Sequence, residues 1–207
     1  MSQVAVYVDG FNLYHAINDL QQPFLKWLNL QALAKSYLSA ADNLVAVVYF
    51  TAMLTWDPGK YWRHMAYIDA LEATGVEVIR SKFLNDTKYC RAYDRYCKFR
   101  DEKQTDVAFA IRILSDIQRG LIERAILLTG DSDQIPLVEF LTANFPAVSV
   151  EIAAPPRRLK YARELASKAT SFSEISEGRL RSCLLPRNVE DGRGRTVAVC
   201  PASYVPL

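Results

Sequence analysis

Short, nearly unbroken apolar runs alternate along this chain with stretches in which apolar residues recur every three to four positions. Val4–Val8, Leu44–Phe50 and Ala125–Thr129 are the clearest runs, with Val76–Ile79 and Val148–Ala153 as weaker counterparts. Runs this short predict strands, and their lack of alternation predicts strands covered on both faces. Between them the helical period spans Asn12–Leu20, Leu30–Leu38, Lys60–Ala73, Thr105–Arg119, Ile135–Ala143 and Leu159–Ser167, with Ser171–Ile175 as a last short strand. Strands alternating with helices predict an α/β fold with a mostly parallel sheet and right-handed crossovers. In the Thr105 helix, Val107, Ala110, Ile111 and Leu114 form the expected inward face, Thr105 the expected N-cap and Gly120 the stop.

That topology gives meaning to the acidic residues. Val4–Val8 ends in Asp9-Gly10-Phe11-Asn12, and Ala125–Thr129 ends in Gly130-Asp131-Ser132-Asp133. Ligands of open parallel sheets bind beyond the carboxyl ends of the strands. Asp9 and Asp131 are therefore expected to converge, joined by Asp106 at the start of its helix. Each aspartate alone has a structural use, as an N-cap or a favourable charge at a helix N-terminus. A second aspartate at 133 is harder to explain by capping. Carboxylates gathered in one pocket repel one another unless protons or cations compensate them. The expected metal ligands are Asp9, Asp106 and Asp131, binding Mg2+ or Mn2+ through hard oxygen atoms. Asp133 joins them as a catalytic candidate, and Asn12, Ser132, Thr129 and Lys103 support the set.

Two further features bear on partners. Lys88–Arg100 interleaves bases with aromatics and has no clear period. Arg91, Tyr93, Arg95, Tyr96 and Lys98 are candidates for RNA binding, by stacking on unpaired bases and following phosphates. A hairpin with aromatics packed on the sheet is the competing reading. From Arg157 onward ten Lys/Arg face five Asp/Glu, which leaves the first 156 residues net acidic. Such a basic stretch suits either an edge that meets a polyanion or a solvated tail. Cys90 and Cys97 lack the close pairs of a zinc site, and the four cysteines are expected as reduced thiols in a cytoplasmic protein. No apolar run is long enough to cross a membrane and no secretory signal is expected. A homo-oligomer is left open. The expected organisation is one domain over residues 1–185, with an inserted basic-aromatic segment at about 82–100, and a mobile basic extension over 186–207.

The ordered motifs Tyr7-Val8-Asp9-Gly10-Phe11-Asn12-Leu13, Glu102-Lys103-x-x-Asp106-Val107 and Leu127-Leu128-Thr129-Gly130-Asp131-Ser132-Asp133-x-x-Pro136-Leu137 resemble the NYN domain, LabA-like branch, of the PIN-like nuclease superfamily. The resemblance covers about Gln3 to Ile175. It implies a three-layer α/β/α fold and a metal-dependent ribonuclease acting on single-stranded or structured RNA. By motif match, Asp9, Asn12, Asp106, Asp131 and Asp133 take the acidic-site positions. The chain departs from the pattern at Gln104-Thr105, where Gly-Val is frequent, at Gln134, where Phe is common, and at Thr170, where a further Asp often stands. A catalytically weak RNA-binding or adaptor protein that keeps the fold is the alternative. An aspartyl phosphatase ranks last, because Phe11 stands where it would need a second aspartate.

Overall fold

The computed structural model describes residues 1–205, and within them all side chains except those of residues 84–86, 88 and 98–103. The chain opens with β1 (Ser2–Asp9), α1 (Gly10–Asp19), α2 (Leu30–Lys35), β2 (Asp42–Met53) and α3 (Pro58–Ala73). β3 (Glu77–Cys90), β4 (Arg95–Lys103), α4 (Thr105–Gln118), β5 (Arg124–Leu128) and α5 (Ile135–Asn144) follow. β6 (Ser149–Ala154), α6 (Arg163–Lys168), β7 (Ser171–Glu174), α7 (Glu177–Ser182), β8 (Asn188–Glu190) and β9 (Thr196–Val199) complete it.

The first seven strands form one sheet in the order β4-β3-β2-β1-β5-β6-β7. All neighbours are parallel except β3 and β4. The chain fills one half of the sheet from β1 outward to β4, then returns to fill the other from β5. The strand order therefore reverses between β1 and β5, and the crevice of an open α/β sheet lies at such a point.

Side-chain alternation along β1 builds both layers. Val4, Val6 and Val8 face a core shared with Leu13 and Ile17 of α1 and Leu30 and Leu33 of α2. Ala5 and Tyr7 face the opposite core, against Phe109, Ile113 and Ile117 of α4 and Val138 and Leu141 of α5. The inward face of α4 is thus only partly the expected one: Ala110 and Leu114 pack against this core, but Val107 and Ile111 are exposed, at 62 % and 61 %. Two apolar stripes share this helix, and the one carrying Phe109 buries more area. A buried polar tie fixes it, since the Tyr7 hydroxyl donates to Asp116 Oδ2 at 2.8 Å and Arg112 Nε donates to the same oxygen at 2.8 Å.

Two segments differ from expectation. The aperiodic stretch is a long β-hairpin. β3 pairs with β2 only as far as Met53↔Lys82, and from there to Cys90 its partner is β4 alone. Eight residues at roughly 3.3 Å each carry this arm about 26 Å past the sheet. Most described side chains beyond Lys82 are exposed, and a solvated ribbon carries no hydrophobic alternation to read. The C-terminal segment, expected to be mobile, is folded as far as residue 205. β8 and β9 pair, and Val189 and Ala198 pack on Trp27, Ala70 and Leu185. Only residues 206–207 lie outside the described chain.

Candidate active site

Asp9 is the last residue of β1 and the N-cap of α1. Its Oδ1 accepts the Asn12 backbone N–H at 3.0 Å, and its Oδ2 accepts the Thr129 hydroxyl at 3.0 Å. The same Thr129 oxygen accepts the Asp131 N–H at 3.1 Å, so one buried hydroxyl ties the ends of β1 and β5. Asn12 adds a second tie, with Oδ1 accepting the Gly130 N–H at 2.9 Å. Asp131 then caps the 3-10 turn Ser132–Gln134 by accepting the Asp133 N–H at 3.0 Å. Each capping role expected of these aspartates is real, and the caps aim them at one place.

That place is a cleft of about 460 Å³ lined by Asp9, Asn12, Asp106, Asp131 and Ser132, together with Phe11, His15, Gln104, Thr105, Gly130, Arg158 and Tyr161. Asp106 arrives on the first turn of α4, from the same edge of the sheet. Asp133 is exposed and does not line the cleft. Gly10 permits the packing behind it, because a Cβ there would fall 2.4 Å from the Phe50 carbonyl oxygen. Close approach, rather than a turn, excludes a side chain at this position.

Burial pushes the Asp9 carboxyl up to about 6, against the lowering effect of its two hydrogen bonds, and Asp131 and Asp106 push it further. Asp106 is also raised, first by lost solvation and then by Asp131 and Asp133. Protonation or a cation would relieve this crowding. Among the described residues no group of three or more His, Cys, Asp or Glu side chains lies close enough to hold a metal ion. The oxygen donors suit a hard cation nonetheless, provided it is held by one or two carboxylates and keeps much of its water, as magnesium does. Thr105 Oγ1 is buried at the cleft wall with no hydrogen-bond partner, a further oxygen in need of one.

Several residues that line the cleft or hold its carboxylates carry no sequence signal for that role. Gln134 is buried at 3 % exposure and its Nε2 donates to Asp106 Oδ1 at 3.0 Å. Arg158, paired with Asp19, and the exposed Tyr161 reach the cleft from the segment after β6. Gln104, not Thr105, is the N-cap of α4, and it holds φ +80° without a side-chain cap bond. A glycine adopts that conformation freely, which accounts for the glycine that the motif favours there. Thr170 lies away from the site, where its Oγ1 accepts the Val150 N–H at the amino end of β6. The side chains of Lys98 and Lys103 lie outside the described residues.

The arm carrying Arg91, Tyr93, Arg95 and Tyr96 does not line the cleft but rises from its rim. Its base is fixed where the Phe83 ring meets Phe11 at 5.5 Å and Trp56 at 4.8 Å. Near its tip Tyr93 and Tyr96 are 70 % and 71 % exposed, so the aromatics do not pack on the sheet. Tyr96 meets Tyr89 edge to face, and the Arg95 guanidinium lies over the Tyr93 ring at 5.5 Å.

The NYN domain family matches residues 3–176, which is most of the chain. The chain belongs to the NYN family. The match is to the NYN domain and distinguishes no branch within it, and the fold agrees with a PIN-like NYN architecture. Among solved structures, a protein of unknown function from Vibrio parahaemolyticus shares the fold, with a TM-score of 0.60 and 20 % identity over 89 % of this chain and 96 % of that one. Among characterised proteins, the 6-hydroxy-3-succinoylpyridine 3-monooxygenase HspA of Pseudomonas putida is 22 % identical over 236 residues, covering 96 % of this chain and 74 % of the relative. Among the described residues no helix of this NYN protein is long and apolar enough to cross a membrane, and its four cysteines are free thiols.

Proposed function

We propose that this NYN protein is a divalent-metal-dependent endoribonuclease. The observation that carries the reading is the convergence of Asp9, Asp106 and Asp131, from three separate elements, on one cleft at the switch point of the sheet. A hydrated Mg2+ or Mn2+ would be shared among Asp9, Asp106 and Asp131, one or two of them bound to it directly and the rest through its water, with Asp133 at the margin. When bound, the ion supplies Lewis acidity toward the phosphodiester and offsets the crowded negative charge.

The chain's own groups do the rest. Thr129 and the Asn12 N–H hold the Asp9 carboxylate in one orientation, and Gln134 does the same for Asp106. An acidic cleft repels phosphate, so the approach of RNA would fall to cations outside it, Arg158 at the cleft wall and the arm residues Arg91 and Arg95, with Lys98 the further candidate. Tyr93 and Tyr96 offer faces to unpaired bases. A cleft carboxylate takes a proton from the attacking water, water adds across one P–O bond, and a phosphomonoester and an alcohol leave. Ser132 lies within the cleft as a hydrogen-bond donor to phosphate oxygen. The free thiols suit a cytoplasmic setting.

The activity named for the Pseudomonas relative gives the three-aspartate cleft no evident task, whereas phosphoryl chemistry gives it one, which supports the nuclease reading. One observation favours the alternative of a catalytically weak RNA-binding protein: the carboxylates do not form a ready-made metal cage among the described residues. Incubation of purified protein with single-stranded and structured RNA, with Mg2+, Mn2+ or EDTA and with an Asp9→Asn control, separates the two. Metal-dependent cleavage lost in Asp9→Asn supports the nuclease. RNA binding with no cleavage in either ion supports the alternative.

A further inference from the structure

A second, smaller cavity lies beside the cleft, and Phe11 lines both. Its volume is about 90 Å³. Four tyrosines, Tyr14, Tyr49, Tyr67 and Tyr204, and aliphatic side chains of α1 make its walls. Its charged residues are Lys26, Lys60 and Arg63, and no Asp or Glu is among the described residues that line it. The acidic cleft beside it has the opposite character.

The lining groups are available to a ligand in different degrees. Lys60 pairs with Asp57 at 3.6 Å, but both are well exposed, so the pair is weak and easily exchanged. Lys26 donates to Asn18 Oδ1 at 2.7 Å and lies 4.8 Å above the Tyr14 ring. Arg63 rests against the Tyr204 hydroxyl, which the folded C-terminus brings to the cavity. His64 meets Thr51 Oγ1 through Nε2 at 3.1 Å, and its Nδ1 is buried with no partner. Burial and the nearby Arg80 push that imidazole down to about 4, so it stands neutral in the wall.

We propose that this cavity binds a single planar six-membered ring carrying an anionic group, phosphate or carboxylate. Apolar and aromatic walls with a few convergent polar groups are the usual make-up of small-ligand sites. The tyrosines supply ring faces and edges. The three cations supply the counter-charge, with Arg63 suited to grip an oxyanion with two N–H groups. Size limits the ring: an enclosed cavity of roughly 150 Å³ holds a whole benzene. At about 90 Å³ this one is smaller, so a single ring lies partly within it and partly in its mouth, and a fused bicycle fits less well. The ring can come from a pyrimidine nucleotide of an RNA strand or from a free aromatic acid. The site does not depend on the neighbouring cleft being a nuclease.

The test is titration of the full-length protein with UMP, with benzoate and with AMP, followed by calorimetry and by NMR of the tyrosine and His64 resonances. UMP, benzoate or both should bind, AMP should bind less well, and Lys60→Ala or Arg63→Ala should weaken binding about tenfold, as loss of one charge-assisted contact does. Asp9→Asn should leave binding unchanged. UMP without benzoate identifies a nucleotide site, and benzoate without UMP identifies a site for a free aromatic acid. Lys60 is exposed enough to be replaced without harm to the fold and keeps the test valid if Arg63→Ala fails to fold. The proposal is overturned if neither single-ring anion binds into the millimolar range. It is overturned equally if AMP binds as well as UMP, or if binding survives Lys60→Ala and Arg63→Ala and is lost in Asp9→Asn.

Discussion

The cleft and the arm differ in what holds them. Around the cleft the three carboxylates are each fixed by a partner: Thr129 holds Asp9, the Asp133 N–H holds Asp131, and Gln134 holds Asp106. Beyond Lys82 the arm is a two-stranded ribbon with its tyrosines in solvent. Isolated hairpins are marginal in water, and this one is anchored mainly at its base by Phe83. Fixed charges suit chemistry, which needs groups placed before the reaction. A compliant ribbon suits capture of a flexible strand. On this view, damage to the cleft stops turnover, and damage to the arm weakens affinity.

The largest expected effect is on turnover. Asp9→Asn or Asp131→Asn should lower RNA cleavage by about 10²–10³-fold, as loss of a preorganised charge at a reaction centre does, with RNA affinity retained. Cleavage gels in Mg2+ or Mn2+ measure it, and EDTA should abolish the wild-type activity. Equal activity in either variant would break the contrast between the regions.

At the arm the expectation is reversed. Replacing Arg91, Arg95 and Lys98 with Ala should reduce the salt slope of RNA binding by roughly 0.7 per lost phosphate contact. Tyr93→Ala and Tyr96→Ala should weaken affinity at an unchanged slope, since stacking releases few counterions. Rates at saturating RNA should barely move. A fall in the saturated rate as large as that of Asp9→Asn would show that the arm takes part in the chemistry.

A smaller effect concerns stability. The Asp9 carboxyl sits at about 6 in the fold against an ordinary 3.8, so between those values the native state holds a proton that the unfolded chain has released. Stability is therefore lost as pH rises through this window. Without metal, Asp9→Asn should be more stable than the wild type at pH 7, by on the order of 1–2 kcal/mol, and the gain should vanish below about pH 4. Urea unfolding in EDTA at the two pH values tests this. A destabilised Asn variant at pH 7 would mean that the hydrogen bonds of Asp9 outweigh its burial.

The smallest is at Gln104, where φ +80° is a strained conformation for any residue but glycine. Gln104→Gly should raise stability by about 1 kcal/mol, measured by thermal melting.

Much of this was legible in the sequence because parallel topology is. Once apolar runs alternate with helical periods, the ends of β1 and β5 become neighbours, and Asp9, Thr129 and Asp131 follow. Other features left no local trace. Gln134 looks like an ordinary residue at a helix start, and only its burial shows that it holds Asp106. Arg158 and Tyr161 reach the cleft because β6 lies beside β5, which no motif announces. The face of α4 was partly misjudged because Val107 and Ile111 repeat as well as Phe109 and Ile113 do. The folded C-terminus was missed because Val189 and Ala198 are few and their partners, Trp27 and Ala70, are far away in sequence.

Gln104 is also the whole connection between the arm and α4: Lys103 ends β4, and Thr105 begins the helix. A joint one residue long transmits rather than absorbs displacement. If the arm captures a strand, tension at its base would reach the helix end that carries Asp106.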